Sequence, residues 1–317
     1  MLGALGGLLA AAQQADKMYR VGILSGTTLA SDRLLLEAFS RAMASLGYHE
    51  GTNLEIVYRG AGGAYTRLPA LAADLVRENP DVIVAGGTPA IAAAQRATRF
   101  VPIVMTTDAD PVGSGFIASL AQPGSNITGM TTMSAELVGK WLQLLKELVP
   151  HLRRVAIVRN PSNASNLAQW REAESVARAS GILAFAVDVR SPDQIDAAFG
   201  TIPHLHVDAI LLVADEVTAS NAARVVRVVA AQRLPALYSS QPAFTAVGGL
   251  MAYGASDAAI WSGAATYVDR ILKGTKPADL PVERPTIFDL TVNLKAARSL
   301  GITVPQSILL RADQVIQ

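Results

Sequence analysis

Tyr19–Leu24 reads YRVGIL, and Arg153–Val158 reads RRVAIV. Each is a short, β-branched apolar run followed by an Ala/Leu-rich amphipathic stretch, which predicts a buried strand leading into a helix. The first helix carries apolar residues at Leu35, Phe39, Ala42, Met43 and Leu46 and stops at Gly47. Its counterpart runs from Trp170 to Ala179 and stops at Gly181; a glycine just past the last apolar position is the expected C-cap. The correspondence continues in order. Asn53–Tyr58 answers Leu183–Val189, Asp81–Ala85 (DVIVA) answers Asp208–Leu212 (DAILL), and Val101–Thr107 answers Leu234–Ser240, always about 130 residues apart. Strands alternating with helices predict an α/β fold with helices on both faces of a parallel sheet, here built twice.

The ends of the chain refine this plan. After Ser240 come GGLMAYGAS (Gly248–Ser256), a helix Asp257–Leu272 stopped by Gly274, a Pro-rich strand region Pro281–Phe288, and a helix Asn293–Leu300 capped by Gly301. One helix plus one strand per lobe is too little for a third domain. The expected architecture is two doubly wound parallel-sheet lobes joined by three hinge crossings, near Met130–Ser134, Leu250 and Pro285. Lobe one would comprise residues 19–131 plus 251–284, and lobe two residues 132–250 plus 285–317. Open parallel sheets take ligands beyond the carboxyl ends of their strands, so two facing lobes predict a shared cleft.

Composition narrows the function. The chain has 317 residues, enough for about two domains. Half are hydrophobic and 17% charged, which suits a large core and excludes a disordered chain. Lys plus Arg is 27 against 26 Asp plus Glu, so no basic field exists to hold nucleic acid. The absence of cysteine excludes disulfides, thiolate metal sites, cysteine nucleophiles and an acylated-cysteine anchor. The longest uncharged stretches, Pro111–Ala135 and Leu234–Ser256, are broken by Pro, Gly, Ser, Thr or Asn, unlike a spanning helix. Residues 1–18 begin MLGALGGLLAAA, and Ala10 and Ala12 are spaced for an A-x-A cut. They read as the remnant of an export signal, placing the mature protein in the periplasm, soluble and without a lipid anchor.

The predicted strand ends carry hydroxyls, amides and a few carboxylates. Strand one ends in Ser25, Gly26, Thr27 and Thr28. The Asp81 strand ends in Gly86-Gly87-Thr88-Pro89, where Thr88 is a good N-cap and Pro89 a good first helical residue; the helix start there suits a carboxylate. Thr107 and Asp108 follow the next strand. In the second lobe the corresponding ends supply Asn160 with Asn166, Asp215 with Glu216, and Ser239, while Tyr253 sits in the crossing segment. No G-x-S-x-G, P-loop, G-x-G-x-x-G or H-E-x-x-H motif occurs. His204 and His206 fall at the amino end of a strand, away from the cleft. Such groups orient a small polar ligand by hydrogen bonds, with no catalytic residue, metal or cofactor expected.

From Tyr19 onward the chain resembles the extracytoplasmic substrate-binding proteins of ABC importers, in the group that includes tryptophan- and tyrosine-type binders. GGTPAIAAA (Gly86–Ala94), DPVGSGFIASLAQPGSNITG (Asp110–Gly129), GGLMAYG (Gly248–Gly254), Arg270–Pro305 and LLRADQVIQ (Leu309–Gln317) carry the resemblance. It implies a type I periplasmic binding fold that closes by hinge motion on a small carboxylate-bearing ligand, an amino acid among the candidates. It also implies an inner-membrane ABC permease as partner; the receptor is expected to be a monomer and, from its charge balance, not to bind nucleic acid. Carried over, the ligand-binding positions are Ser25, Thr88, Asp108, Asn160, Asn166, Asp215, Ser239 and Tyr253; Thr27 and Thr107 join them from the strand-end pattern. Several amino-acid-binding relatives carry Thr-Asp-Asn where this chain has Ala214-Asp215-Glu216. Two other readings use the same lobes: a ligand sensor for a membrane signalling protein, or a two-lobed α/β enzyme such as a racemase. Racemases of this shape need paired cysteines, which are missing.

Overall fold

The computed structural model describes residues 17–239 and 243–317. The export-signal reading of residues 1–16 and the strand-end residues Ser240 and Gln241 therefore lie outside the described residues.

The first sheet has the order β2-β1-β3-β4-β5, all parallel: β1 Tyr19–Ser25, β2 Leu54–Gly60, β3 Val82–Gly86, β4 Ile103–Met105 and β5 Ile127–Gly129. Alternation along these strands sorts their side chains onto two faces. Val21, Ile23, Val82, Val84 and Val104 point to one face, and they pack with α1 (Leu29–Ser45) through Phe39 and Met43. Leu24, Ile83, Ala85, Ile103 and Met105 point to the other, covered by α2 (Leu68–Arg77) and α3 (Thr88–Ala97).

The second lobe repeats the scheme. Its sheet runs β12-β11-β10-β9-β8-β6-β7, with β6 Arg154–Arg159, β7 Leu183–Asp188, β8 Ala209–Leu212, β9 Ala236–Tyr238, β10 Met251–Ala255, β11 Phe288–Asn293 and β12 Gln314–Ile316. Helices α4 (Val138–Leu148) and α5 (Ala164–Ala179) pack on the face of Val155, Ile157, Ala209 and Leu211. On the opposite face, α6 (Ile195–Phe199) and α7 (Ile202–Leu205) meet Ala156, Val158, Ile210 and Leu212. The short α8 (Glu216–Ala219) follows β8 directly, and α9 (Ala222–Ala231) completes that layer.

One expected boundary moves. Met251–Ala255 forms β10, which pairs in parallel with β9 and antiparallel with β11 (Phe288–Asn293), so the chain stays in the second sheet until Ala255 instead of leaving near Leu250. The backbone of β9 offers β10 a free edge, and burial of Met251 and Ala252 holds it there. The second sheet is consequently mixed and not purely parallel. Helix α10 (Asp257–Leu272) then returns to the first lobe, seating Ile260, Trp261, Ala264 and Val268 beside α1. After β11, α11 (Leu294–Leu300), α12 (Gln306–Leu309) and β12 (Gln314–Ile316) finish the second lobe.

Three segments pass between the lobes, and they are tied to one another. Thr131 donates its N–H to the Glu283 carbonyl at 3.1 Å, and Ser256 donates to the Ile287 carbonyl at 2.9 Å. Backbone bonds of this kind hold the three crossings in one compact bundle. The second core is anchored where α4 enters it: Trp141 is fully buried and its indole Nε1 donates to the Tyr253 carbonyl of β10 at 2.9 Å. Trp141→Ala is expected to cost about 3–5 kcal/mol of stability, measured by urea unfolding against the native chain; a loss under about 1 kcal/mol would show that the helix–β10 contact does not anchor this lobe.

Candidate functional site

The carboxyl ends of the two sheets enclose a cavity of about 540 Å³. Ser25, Thr27, Thr88, Thr107, Asn166, Asp215 and Ser239 stand in its wall. Asp108 and Asn160 are buried directly behind that wall and hold its residues in place. Tyr253 does not contribute to the wall. Its ring stacks on Phe288 at 6.3 Å and packs against the core of the second lobe, because β10 belongs to that sheet.

The start of α3 differs in detail from the sequence expectation. Gly87, at φ +92°, is the N-cap, and Thr88 and Pro89 are the first helical residues. The positive φ is one that glycine adopts without strain. The Thr88 hydroxyl donates to Asp108 Oδ2 at 2.6 Å and also meets Ser165 Oγ of the second lobe at 2.6 Å. Ser165 Oγ in turn accepts from the Ala109 N–H at 3.2 Å. These bonds cross the cleft, so the lobes are closed on each other.

A second crossing centres on Asp215. It caps α8 by accepting from the Val217 N–H at 3.0 Å. It also accepts from Asn160 Nδ2 at 3.1 Å, Asn163 Nδ2 at 3.0 Å and, from the first lobe, the Tyr65 hydroxyl at 2.6 Å. The same hydroxyl meets Glu216 Oε2. The Glu216 side chain reaches over the first lobe's glycine turns: a Cβ at Gly26 would lie 2.6 Å from its Cγ, and one at Gly87 would collide with its carboxyl. The helix start thus already faces a carboxyl from the opposite lobe.

Burial governs the electrostatics here. The Asp215 carboxyl is pushed up by desolvation despite its four donors. Glu216 is pushed up to about 8, first by desolvation and then by the neighbouring Asp215 charge. Tyr65 is raised well above its ordinary value by burial and by both carboxylates. Asp32, which also lines the cavity and accepts from Thr27 and from Tyr58 at 2.9 Å, is raised by burial. Among the described residues, the one basic residue in the wall facing these acids is Arg33, whose side chain is exposed and paired with Glu37. Among the described residues no cluster suited to a metal ion occurs.

Sequence reasoning located the strand ends but left out Tyr65, Asn163, Ser165 and Glu216 as site residues. Tyr65 lies in a connection after β2 and meets Asp215 across 150 residues of chain, so spacing carries no trace of it. Asp215-Glu216 at a strand end was the available signal for Glu216.

Comparison with known proteins agrees with this geometry. The chain is 29% identical to a conserved domain protein from Vibrio cholerae whose crystal structure superposes with a TM-score of 0.89, covering 94% of this chain and 100% of that one. It is 27% identical to an ABC domain from Streptococcus pneumonia solved in complex with L-Trp, with a TM-score of 0.86 and coverage of 95% and 100%. A tyrosine-binding protein of Clostridioides difficile is 24% identical over 266 residues, which is 84% of this chain and 76% of that protein. Residues 23–316 match the family described as ABC transporter substrate binding protein. A closed pair of α/β lobes around a shared cavity, matched along nearly its whole length, makes the chain a member of that family of substrate-binding proteins.

Proposed function

We propose that this protein is the extracytoplasmic receptor of an ABC importer for a small amino-acid-like ligand, which it carries to an inner-membrane permease. The observation that carries the ligand class is the adjacent pair of carboxyls at the lobe interface, Asp215 buried and Glu216 partly buried, in a cavity whose wall holds no buried cation among the described residues. A ligand ammonium supplies the missing positive charge, and an ammonium–carboxylate hydrogen bond inside a closed cleft is among the stronger polar contacts. The relatives that bind tyrosine or L-Trp support the same class. The cavity of about 540 Å³ is large enough for a ligand of that size. Because its walls come from both lobes, a ligand there contacts the closed form more extensively and shifts the population toward it.

Asp215→Asn removes the charge while keeping the shape of the side chain. Titration calorimetry with L-tyrosine and L-tryptophan should show affinity falling about 10- to 100-fold for whichever binds, as expected for loss of one charged hydrogen bond. Unchanged affinity would remove Asp215 from the site.

Closure itself should respond to pH. Glu216 titrates near 8 in the closed form, whereas in an open cleft water would return it toward its ordinary 4.5. Between those values the closed form holds the extra proton, so ligand-free closure is favoured at the acidic end and weakens as pH rises toward about 8. Small-angle X-ray scattering of the ligand-free protein should give a larger radius of gyration at about pH 8.5 than at about pH 5.5, and Glu216→Gln should flatten the difference. Equal radii for the native protein at both pH values would sink this expectation.

A further inference from the structure

The second lobe holds another cavity, of about 670 Å³, between α9, α11 and the end of β12. Its volume falls within the range of small-molecule sites. Apolar side chains form much of its wall: Val226 and Val229 of α9, Leu234, Leu250, Leu300 and Ile316. Leu234, Leu300 and Ile316 are only half-buried, so apolar surface there remains open to an occupant. Burying such surface is the main source of affinity for an apolar body.

The charge in this wall is of one sign. Arg233, just past α9, and Lys295, in the first turn of α11, both line the cavity and are exposed. Neither side chain has an ion-pair or hydrogen-bond partner within the described residues. Among the described residues the wall contains no aspartate or glutamate. The ligand cleft is the reverse, with Asp32, Asp215 and Glu216 in its wall against a single arginine paired with Glu37. An apolar hollow edged by two unpaired cations complements a molecule with a hydrocarbon body and one anionic end. A long basic side chain lays its methylenes along such an apolar surface and keeps its charge at the rim, where an anion can meet it.

This cavity also shares a wall with the cleft. Ala246 lines both. Tyr238, in the second cavity, stacks at 4.8 Å on Phe244, which stands in the cleft wall, and the next residue along the chain, Ser239, stands there too. The turn between them is a closed unit: the Gly249 N–H donates to the Phe244 carbonyl at 2.8 Å and the Gly248 N–H to the Thr245 carbonyl at 3.2 Å. A Cβ at Gly249 would lie 2.8 Å from Tyr238 Cε2, so the turn is pressed onto the tyrosine ring. A body seated against Tyr238 and Ala246 therefore touches the same turn that bounds the cleft.

We propose that the second cavity is a binding site for a small apolar acid, its hydrocarbon on the Val229 and Leu300 wall and its carboxylate at Arg233 and Lys295, and that its occupancy is felt along the turn Phe244–Gly249. The proposal does not rest on the identity of the cleft ligand.

Octanoate and octanol, alike in chain and different in charge, test it. Each is titrated against the native protein carrying anilinonaphthalene sulfonate, an apolar anion whose emission rises when it leaves water. Octanoate should displace the dye. In the double variant Arg233→Gln, Lys295→Gln its affinity should fall about 3- to 10-fold while that of octanol stays within about two-fold, as expected for two exposed charge contacts. Ala230→Trp, at an exposed position in the cavity wall, fills the hollow and should weaken both by about 10-fold or more. In ¹H–¹⁵N spectra, the amides of Ala246, Gly248 and Gly249 should shift with octanoate at the same half-saturation as dye release. Failure of octanoate to displace the dye, which would leave the hollow to a larger partner, or equal displacement in all variants would overturn the site. Shifts centred on cleft residues such as Thr88 and Ser165 would place the acid in the cleft and overturn it as well. Dye release from the second cavity with unmoved turn amides would overturn the link to the cleft. None of these outcomes bears on the amino-acid receptor reading, which is decided by calorimetry with L-tyrosine and L-tryptophan.

Discussion

Two carboxyl groups, Asp215 and Glu216, are held together at the lobe interface with no ion pair to a basic residue among the described residues, and the arrangement of the cleft depends on making that tolerable. Side-chain amides from Asn160 and Asn163, a backbone N–H at Val217 and a tyrosine hydroxyl from the other lobe share the negative charge of Asp215. A retained proton on Glu216 relieves the rest, which is why its titration is displaced so far upward. Each stabilising group is neutral. A lysine or arginine in the same place would satisfy the carboxylates permanently and leave nothing for a ligand ammonium to do. On the proposed reading, this unbalanced negative charge is what would select a ligand ammonium.

The two crossings of the cleft divide the work differently. Around Thr88, Asp108 and Ser165 every polar group has a partner within the protein, so that contact positions the lobes regardless of what lies between them. Around Tyr65, Asp215 and Glu216 the contact depends on protonation, and a bound cation changes its balance. The hinge opposes neither. Its three segments are joined by backbone hydrogen bonds such as Thr131 to Glu283 and Ser256 to Ile287, which tie the crossings to one another.

Much of the fold was legible in the sequence because local rules and packing agree there. YRVGIL and RRVAIV are strands because β-branched residues alternate between two covered faces, and Gly47 and Gly181 follow their helices at positive φ. Met251–Ala255 resisted because its apolar run has no period and its partner is decided by which sheet edge is free. The strand ends were readable as cleft residues, since topology alone sends them there, and Ser25, Thr27, Thr88, Thr107, Asn166, Asp215 and Ser239 stand in the wall. Tyr65 was not, because it approaches its partners only when the lobes dock.

Closure also brings a long side chain against bare backbone. Glu216 enters a slot formed where Gly26 and Gly87 have no side chains, and Gly63 lets the backbone of Val217 approach where its own Cβ would come to 3.1 Å. A flat interface tolerates sliding and yields a continuum of nearly closed shapes. A key in a slot does not, because a small displacement drives the carboxyl into main-chain atoms. In the importer proposed above, a permease would consequently meet one closed geometry and not a graded series, and the bound state would be conveyed as a yes-or-no signal.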